Sequence, residues 1–305
     1  MIDALRTHLE ANRAAFGLAE GVALRVELRA PWRESRLSRC HAFVRQAGEA
    51  APRLVVTDAM PLYAPAAPLA PPPFVSPFMP PGGMFTLDGT VYAWSRYVDA
   101  PSLLASLGDA PNQEALALVA RFAATLAAAT AREAVQTPLP LAALAEQCLS
   151  RIGAAKAVAR FRVLADQASR LADPDASGPC SWSHGDLWPA DVFVGKDGFT
   201  LVDWEWATPA APLGVDLIDL HVTLMEHWLG VPTLAAWQSL LSPPAGIAAP
   251  ARAAFEALAA GRDRRHAVLY ALVRAAGRVL AQDGPAGLPL IRVYEAVLTG
   301  LKHGE

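Results

Sequence analysis

A chain of 305 residues that is 53% apolar and 18% charged can bury a sizeable core and is too hydrophobic to remain disordered. Its net charge of −3, from 29 acidic and 26 basic side chains, offers no broad electropositive face, so nucleic acid is not an expected partner. Cys40, Cys148 and Cys180 fit neither a disulfide framework nor metal-ligand spacing, which suits a cytoplasmic setting, and charges or prolines interrupt each Ala-rich stretch, so no membrane partner is expected.

Residues 3–16 have the spacing of an amphipathic helix with Leu5, Leu9 and Phe16 inward, and their early charges are unlike a secretory signal. Three strands are expected next, at Val22–Leu28, Leu37–Val44 and Arg53–Thr57. The connection Ala30–Ser35 contains no glycine, and Pro31 removes a backbone donor. Residues 60–83 carry nine prolines, which forbids a helix and favours extended stretches and turns. Tyr63, Phe74, Phe78 and Met79 suggest that this segment packs back on the body. Asp88-Gly89 marks a hairpin whose second strand continues to Val98.

Pro101 opens a short helix that ends before Gly108, and Asn112 caps a longer one over 113–129. Leu116, Val119, Phe122, Ala123 and Leu126 form the apolar face of the second. A helical region over 140–172 divides at Gly153, with Arg151, Lys156, Arg160 and Arg162 expected in solvent. A breaker run at 173–178 leads into the central motif. Beyond it, helices are expected at 216–229, 233–241, 249–260, 263–282 and 289–301.

The most informative stretch is SHGDLWPADVFV, Ser183–Val194, followed by TLVDWEWA, Thr200–Ala207. Two short apolar runs, Val192–Val194 and Phe199–Val202, read as strands joined by the Lys196-Asp197-Gly198 turn. That hairpin holds Asp191 at its entry and Asp203 just past its exit, with Asp186 a few residues earlier. Acids clustered around a buried scaffold call for a balancing cation, because like charges held close in a low dielectric are costly.

HGDLWPAD and VDWEW resemble the catalytic and metal-binding segments of the aminoglycoside phosphotransferase and choline kinase superfamily, whose fold is kinase-like. HGDLW is also similar to the form found in fructosamine kinases. The resemblance implies an α+β, bilobal fold. An amino-terminal lobe over 1–99 carries a small antiparallel sheet, and a helical lobe over 100–305 carries the chemistry. It implies ATP and Mg²⁺ as cofactors, and a nucleotide and a small molecule as partners. Asp186 matches the catalytic base and Asp203 the carboxylate that holds Mg²⁺. Asp191 stands where the family has a metal-binding Asn. His184 and Asp216 match residues that support the loop. Trp94 and Tyr97 fall where such a fold lines adenine, though strand aromatics also serve as core. Trp188 and Glu205 are candidates to line substrate, and packing or capping is their alternative.

Three features depart from the family pattern. The loop at 30–35 has no glycine, Asp replaces Asn at 191, and no lysine precedes Lys156. The kinase fold ordinarily supplies a lysine from its third strand to grip phosphate. Arg45 or Arg53 is a crude substitute at best, because a planar guanidinium does not fill the place of an ammonium. Two readings therefore stay open, beside a hydrolase with a coincidental acid cluster. One is an ATP-dependent kinase for a hydroxyl of a small metabolite such as a sugar or amino-sugar. The other is a pseudokinase that binds nucleotide, metabolite or protein without efficient turnover.

Overall fold

Leu5 and Leu9, four residues apart, lie on one face of helix α1 (Ile2–Ala11) and are buried beside Phe16 and Leu18. The computed structural model describes residues 2–29, 41–58, 78–132, 134–138, 141–172, 177–241, 249–258 and 264–303. They fall into two units, the first ending at Ala100 and the second beginning at Pro101.

In the first unit, β1 (Leu24–Arg29), β2 (His41–Gln46), β3 (Leu54–Asp58), β4 (Gly82–Leu87) and β5 (Thr90–Arg96) form one antiparallel sheet in the order β1-β2-β3-β5-β4. Leu24, Val44, Leu54, Val56 and Tyr92 face α1 to make its core. The β4–β5 turn places Asp88 at φ 49° and Gly89 at φ 77°. Two successive left-handed residues make a turn whose twist matches that of the flanking strands. The expected loop at 30–35 and most of the proline-rich segment lie outside the described residues; Phe78, at its end, is buried.

The second unit opens with α2 (Leu103–Leu107), capped by the Ser102 hydroxyl, and α3 (Gln113–Arg132). Asn112 Oδ1 accepts the Ala115 N–H at 2.8 Å, as its position before the apolar run predicts. One expected apolar position is corrected: Leu116 is 39% exposed, because the buried stripe of α3 is Ala115, Val119, Phe122, Ala123 and Leu126. Among the described residues α3 alone has the length and composition to cross a membrane.

Next come β6 (Val135–Pro138), α4 (Leu141–Leu149), α5 (Ala155–Leu171) and β7 (Ser177–Ser183). The hairpin β8 (Val192–Val194) and β9 (Phe199–Leu201) follows, then β10 (Thr208–Pro212), and β10-β7-β6 form a second antiparallel sheet. The chain finishes with α6 (Val215–Thr223), a π-helical turn at Leu224–Trp228, α7 (Thr233–Gln238), α8 (Ala249–Leu258), α9 (Arg264–Asp283) and α10 (Leu288–His303). Helix α9 is apolar on nearly every side and buried along most of its length. A Cβ at its Gly277 would lie 2.6 Å from Cys148 Cβ, so glycine is what lets α9 approach α4 this closely.

The sheet of β6, β7 and β10 was not expected from the sequence. Ser177–Ser183 contains glycine, proline and serines, and only pairing with β6 and β10 makes it a strand. Arg151 is a second correction. Expected in solvent, it is 8% exposed, with its guanidinium 4.1 Å from the Trp206 ring centroid.

Candidate functional site

The segment His184–Asp191 links β7 to β8 and turns sharply at Gly185, where φ is 90°. A Cβ there would overlap the Trp206 carbonyl group, so both conformation and space demand glycine. Gly185→Ala is expected to lower the urea midpoint by the equivalent of about 2 kcal/mol or more, from left-handed strain plus a backbone clash. An unchanged midpoint would show that the turn relaxes freely.

Asp216, in the first turn of α6, holds this loop by three contacts. Its carboxylate accepts from Ser183 Oγ at 2.6 Å, from the His184 N–H at 2.7 Å and from the Gly185 N–H at 3.2 Å. His184 is 1% exposed and its Nε2 lies 2.7 Å from the Val202 carbonyl, which ties the loop to the far side of the β8–β9 hairpin. With Nε2 donating, Nδ1 is left as acceptor, and the Asp186 N–H points to it at 3.4 Å. Asp216 and His184 thus grip the backbone on either side of the turn.

Behind Asp216 stands Arg274 of α9, 1% exposed. It donates to Ser183 Oγ and to Asp219 Oδ2, both at 2.6 Å, and reaches Asp216 Oδ1 at 3.5 Å. Burial pushes the Asp219 carboxyl up to about 6, with Arg274 and Arg278 pulling the other way. One turn further along α9, Arg278 Nη1 lies 2.6 Å from Asp186 Oδ1 and 3.3 Å from the Gly185 carbonyl. No role for Arg274 or Arg278 is legible in the motif. The available signal was two arginines four apart within AVLYALVRAAGRVLA, since charges in an all-round apolar helix must find buried partners.

The three acids of the motif share one electrostatic environment. Burial, then the neighbouring charges of Asp203 and Asp186, hold the Asp191 carboxyl well above the usual carboxylate range, against a smaller opposing pull from Arg278. Asp203 is exposed and left-handed, with φ 63°, at the entry to the single turn Trp204–Trp206. Among the described residues no three His, Cys, Asp or Glu side chains form a ready cation cage. Mg²⁺ takes one or two carboxylates and completes its shell with water and substrate phosphates. The half-buried Asp191 carboxyl, raised by two neighbouring charges, would be relieved by such a cation as it would by a proton.

The remaining candidates are dispersed. Trp188 packs beside His227 with ring centroids 4.8 Å apart, and its indole nitrogen is buried with no hydrogen-bond partner among the described residues. Trp204 Nε1 donates to the Leu201 carbonyl at 2.9 Å, while the Glu205 side chain lies outside those described. In the first unit, Trp94 meets Phe16 edge-on at 5.2 Å and Tyr97 meets Phe43 at 6.3 Å. Arg53 and Tyr97 line a cavity of about 400 Å³. Arg53 is bound by both carboxylate oxygens of Glu49, and Arg45 lies 3.7 Å from Glu27.

No protein-family model matches the chain, and no curated protein does. Solved structures do. The apo form of a thermostable mutant of aminoglycoside phosphotransferase APH(4)-Ia aligns with a TM-score of 0.55 at 14% identity, over 97% of this chain and 98% of that one. A further variant of that thermostable protein, in ternary complex with AMP-PNP and hygromycin B, gives 0.54 at 13% identity over 97% and 100%. A Ralstonia eutropha JMP134 protein assigned to the aminoglycoside phosphotransferases gives 0.54 at 13% over 100% and 98%. With a sheet-bearing unit followed by a helical one, the chain has the bilobal, kinase-like α+β fold of the aminoglycoside phosphotransferases.

Proposed function

We propose that the chain is an ATP-dependent phosphotransferase that acts on a hydroxyl of a small metabolite, with sugars and amino-sugars among the acceptors to test first. The observation that carries this reading is the loop His184–Asp191. It is held from Asp216, Val202 and Arg278 and displays the Asp186 carboxylate, 26% exposed, whose charge acts together with that of Asp203 on the Asp191 carboxyl. A loop with no chemistry to perform has no reason to gather like charges, which destabilise it.

In this reading Asp186 orients the acceptor hydroxyl and accepts its proton as the oxygen attacks the γ-phosphorus. Asp203 and Asp191 are the residues that would hold Mg²⁺, which supplies countercharge to the phosphate oxygens when bound. Asp216 and His184 keep the loop backbone fixed, so Asp186 meets the hydroxyl without reorganisation. Trp188 lines the acceptor side, and Trp94 and Tyr97 are assigned to the adenine.

The test is nucleotide binding by the purified chain with and without Mg²⁺, joined to turnover on a panel of sugars, amino alcohols and aminoglycosides. Asp203→Asn is expected to weaken Mg²⁺-dependent ATP binding at least about tenfold, and Asp186→Asn much less. Equal metal-dependent affinity in D203N and the parent would remove Asp203 from that role. One observation favours the pseudokinase alternative: Arg53, a stand-in for the missing lysine, is already engaged by Glu49. Mg²⁺-dependent nucleotide binding with no turnover on the whole panel would select it.

A further inference from the structure

Helix α9 delivers two arginines to the loop, and they do different things. Arg274 gives its two terminal nitrogens to Ser183, Asp216 and Asp219, none of which faces a reacting group in the proposed chemistry. Arg278 reaches past that network to the acid at the tip. Its Nη1 sits 2.6 Å from Asp186 Oδ1, and the same nitrogen is 3.3 Å from the carbonyl of Gly185. One guanidinium nitrogen therefore contacts both the carboxylate and the peptide group immediately before it.

We propose that Arg278 is the positioning residue for Asp186: it fixes one carboxylate oxygen so that the other is presented to the acceptor hydroxyl. The inference rests on the phosphotransferase reading above. A short aspartate at a loop tip has several rotamers of similar energy, and few of them aim an oxygen at a given point. A charge-assisted bond to a guanidinium selects among them, and the guanidinium must itself be held for the selection to matter. Here it is: the Arg278 side chain is only 16% exposed, on a helix buried along most of its length and anchored one turn earlier by Arg274. Removing that support leaves the base present but loosely aimed, and a displacement of about 1 Å in a reacting group can cost on the order of a hundredfold in rate.

The simpler possibility is that Arg278 only neutralises part of the acid cluster and steadies the fold. The two roles separate in a double-mutant cycle on kcat. The full-length chain is assayed for ADP release from MgATP, with water and with each member of the acceptor panel, as the parent, D186N, R278M, R278K and D186N/R278M.

Positioning predicts that R278M lowers kcat by about tenfold to a hundredfold, with KM for ATP within about twofold, and that R278K recovers part of the loss. It also predicts that adding R278M to D186N changes kcat by less than about threefold, since no carboxylate remains to be aimed. A purely structural role would lower kcat by the same factor in both backgrounds, and that result overturns the proposal. If R278M does not unfold cooperatively, R278K and D186N/R278K carry the same comparison. An active parent with R278M and R278K at full kcat defeats the role of Arg278 alone. A parent that binds MgATP and turns over nothing defeats the phosphotransferase reading and this role with it.

Discussion

Asp186→Asn is expected to lower kcat by about 10²–10⁴-fold, the range over which a positioned general base contributes, while the protein stays folded and still binds nucleotide. The asparagine keeps the shape of the side chain and loses its capacity to accept the hydroxyl proton. Little of the fold depends on the charge. The loop backbone is held by Asp216 and His184, and the Asp186 side chain is 26% exposed. Arg278 loses its ion-pair partner but keeps the Gly185 carbonyl. The checks are steady-state kinetics on an accepted substrate, calorimetric titration with ATP and Mg²⁺, and a urea unfolding curve. Parent-level kcat in D186N would mean that the proton leaves by another route.

Arg274→Met should have the opposite profile, with its main effect on stability. The guanidinium is buried and links Ser183, Asp216 and Asp219; without it the Asp219 carboxylate is left desolvated without its nearest countercharge. Breaking one side of such a buried pair costs about 3–5 kcal/mol. The loss should grow with pH. Burial already places the Asp219 carboxyl at about 6, above its unfolded value, so the proton favours the folded chain. For a carboxylic acid shifted upward, that stabilisation is full below the unfolded pKa and disappears as pH rises through the folded one. Removing Arg274 raises the folded pKa further, so the deficit is expected to be smaller at about pH 5 than at about pH 8. Urea midpoints at the two pH values measure it directly. A deficit below about 1 kcal/mol at the higher pH would mean that water reaches the network.

These two arginine-to-acid contacts also mark where sequence reading stops. The β8–β9 hairpin is legible because apolar triplets flank a Lys-Asp-Gly turn, and the turn and its strands lie within ten residues of one another. The Asp88-Gly89 turn and the Asn112 cap are legible for the same reason: the residue that determines the backbone geometry sits at the place where the geometry occurs. Arg151, by contrast, was expected in solvent and lies against Trp206, fifty-five positions along the chain. The strand Ser177–Ser183 begins inside the run 173–178 that reads as a breaker, and Gly178 and Pro179 disfavour extended pairing in isolation. Its partners β6 and β10 override that preference.

By itself, then, the amino-acid order determined the elements whose signals are local, and it placed Asp186, Asp191 and Asp203 on one short turn-and-hairpin unit. Only the tertiary structure decided that Arg278 meets Asp186 and that Arg274 meets the Ser183, Asp216 and Asp219 network behind it. Ser183 and Arg274 are 91 positions apart, and nothing in either neighbourhood specifies the other. Periodicity and turn chemistry act over a few residues, whereas the pairing of buried charges is set by which helix packs behind the loop. That choice is made by the whole core at once.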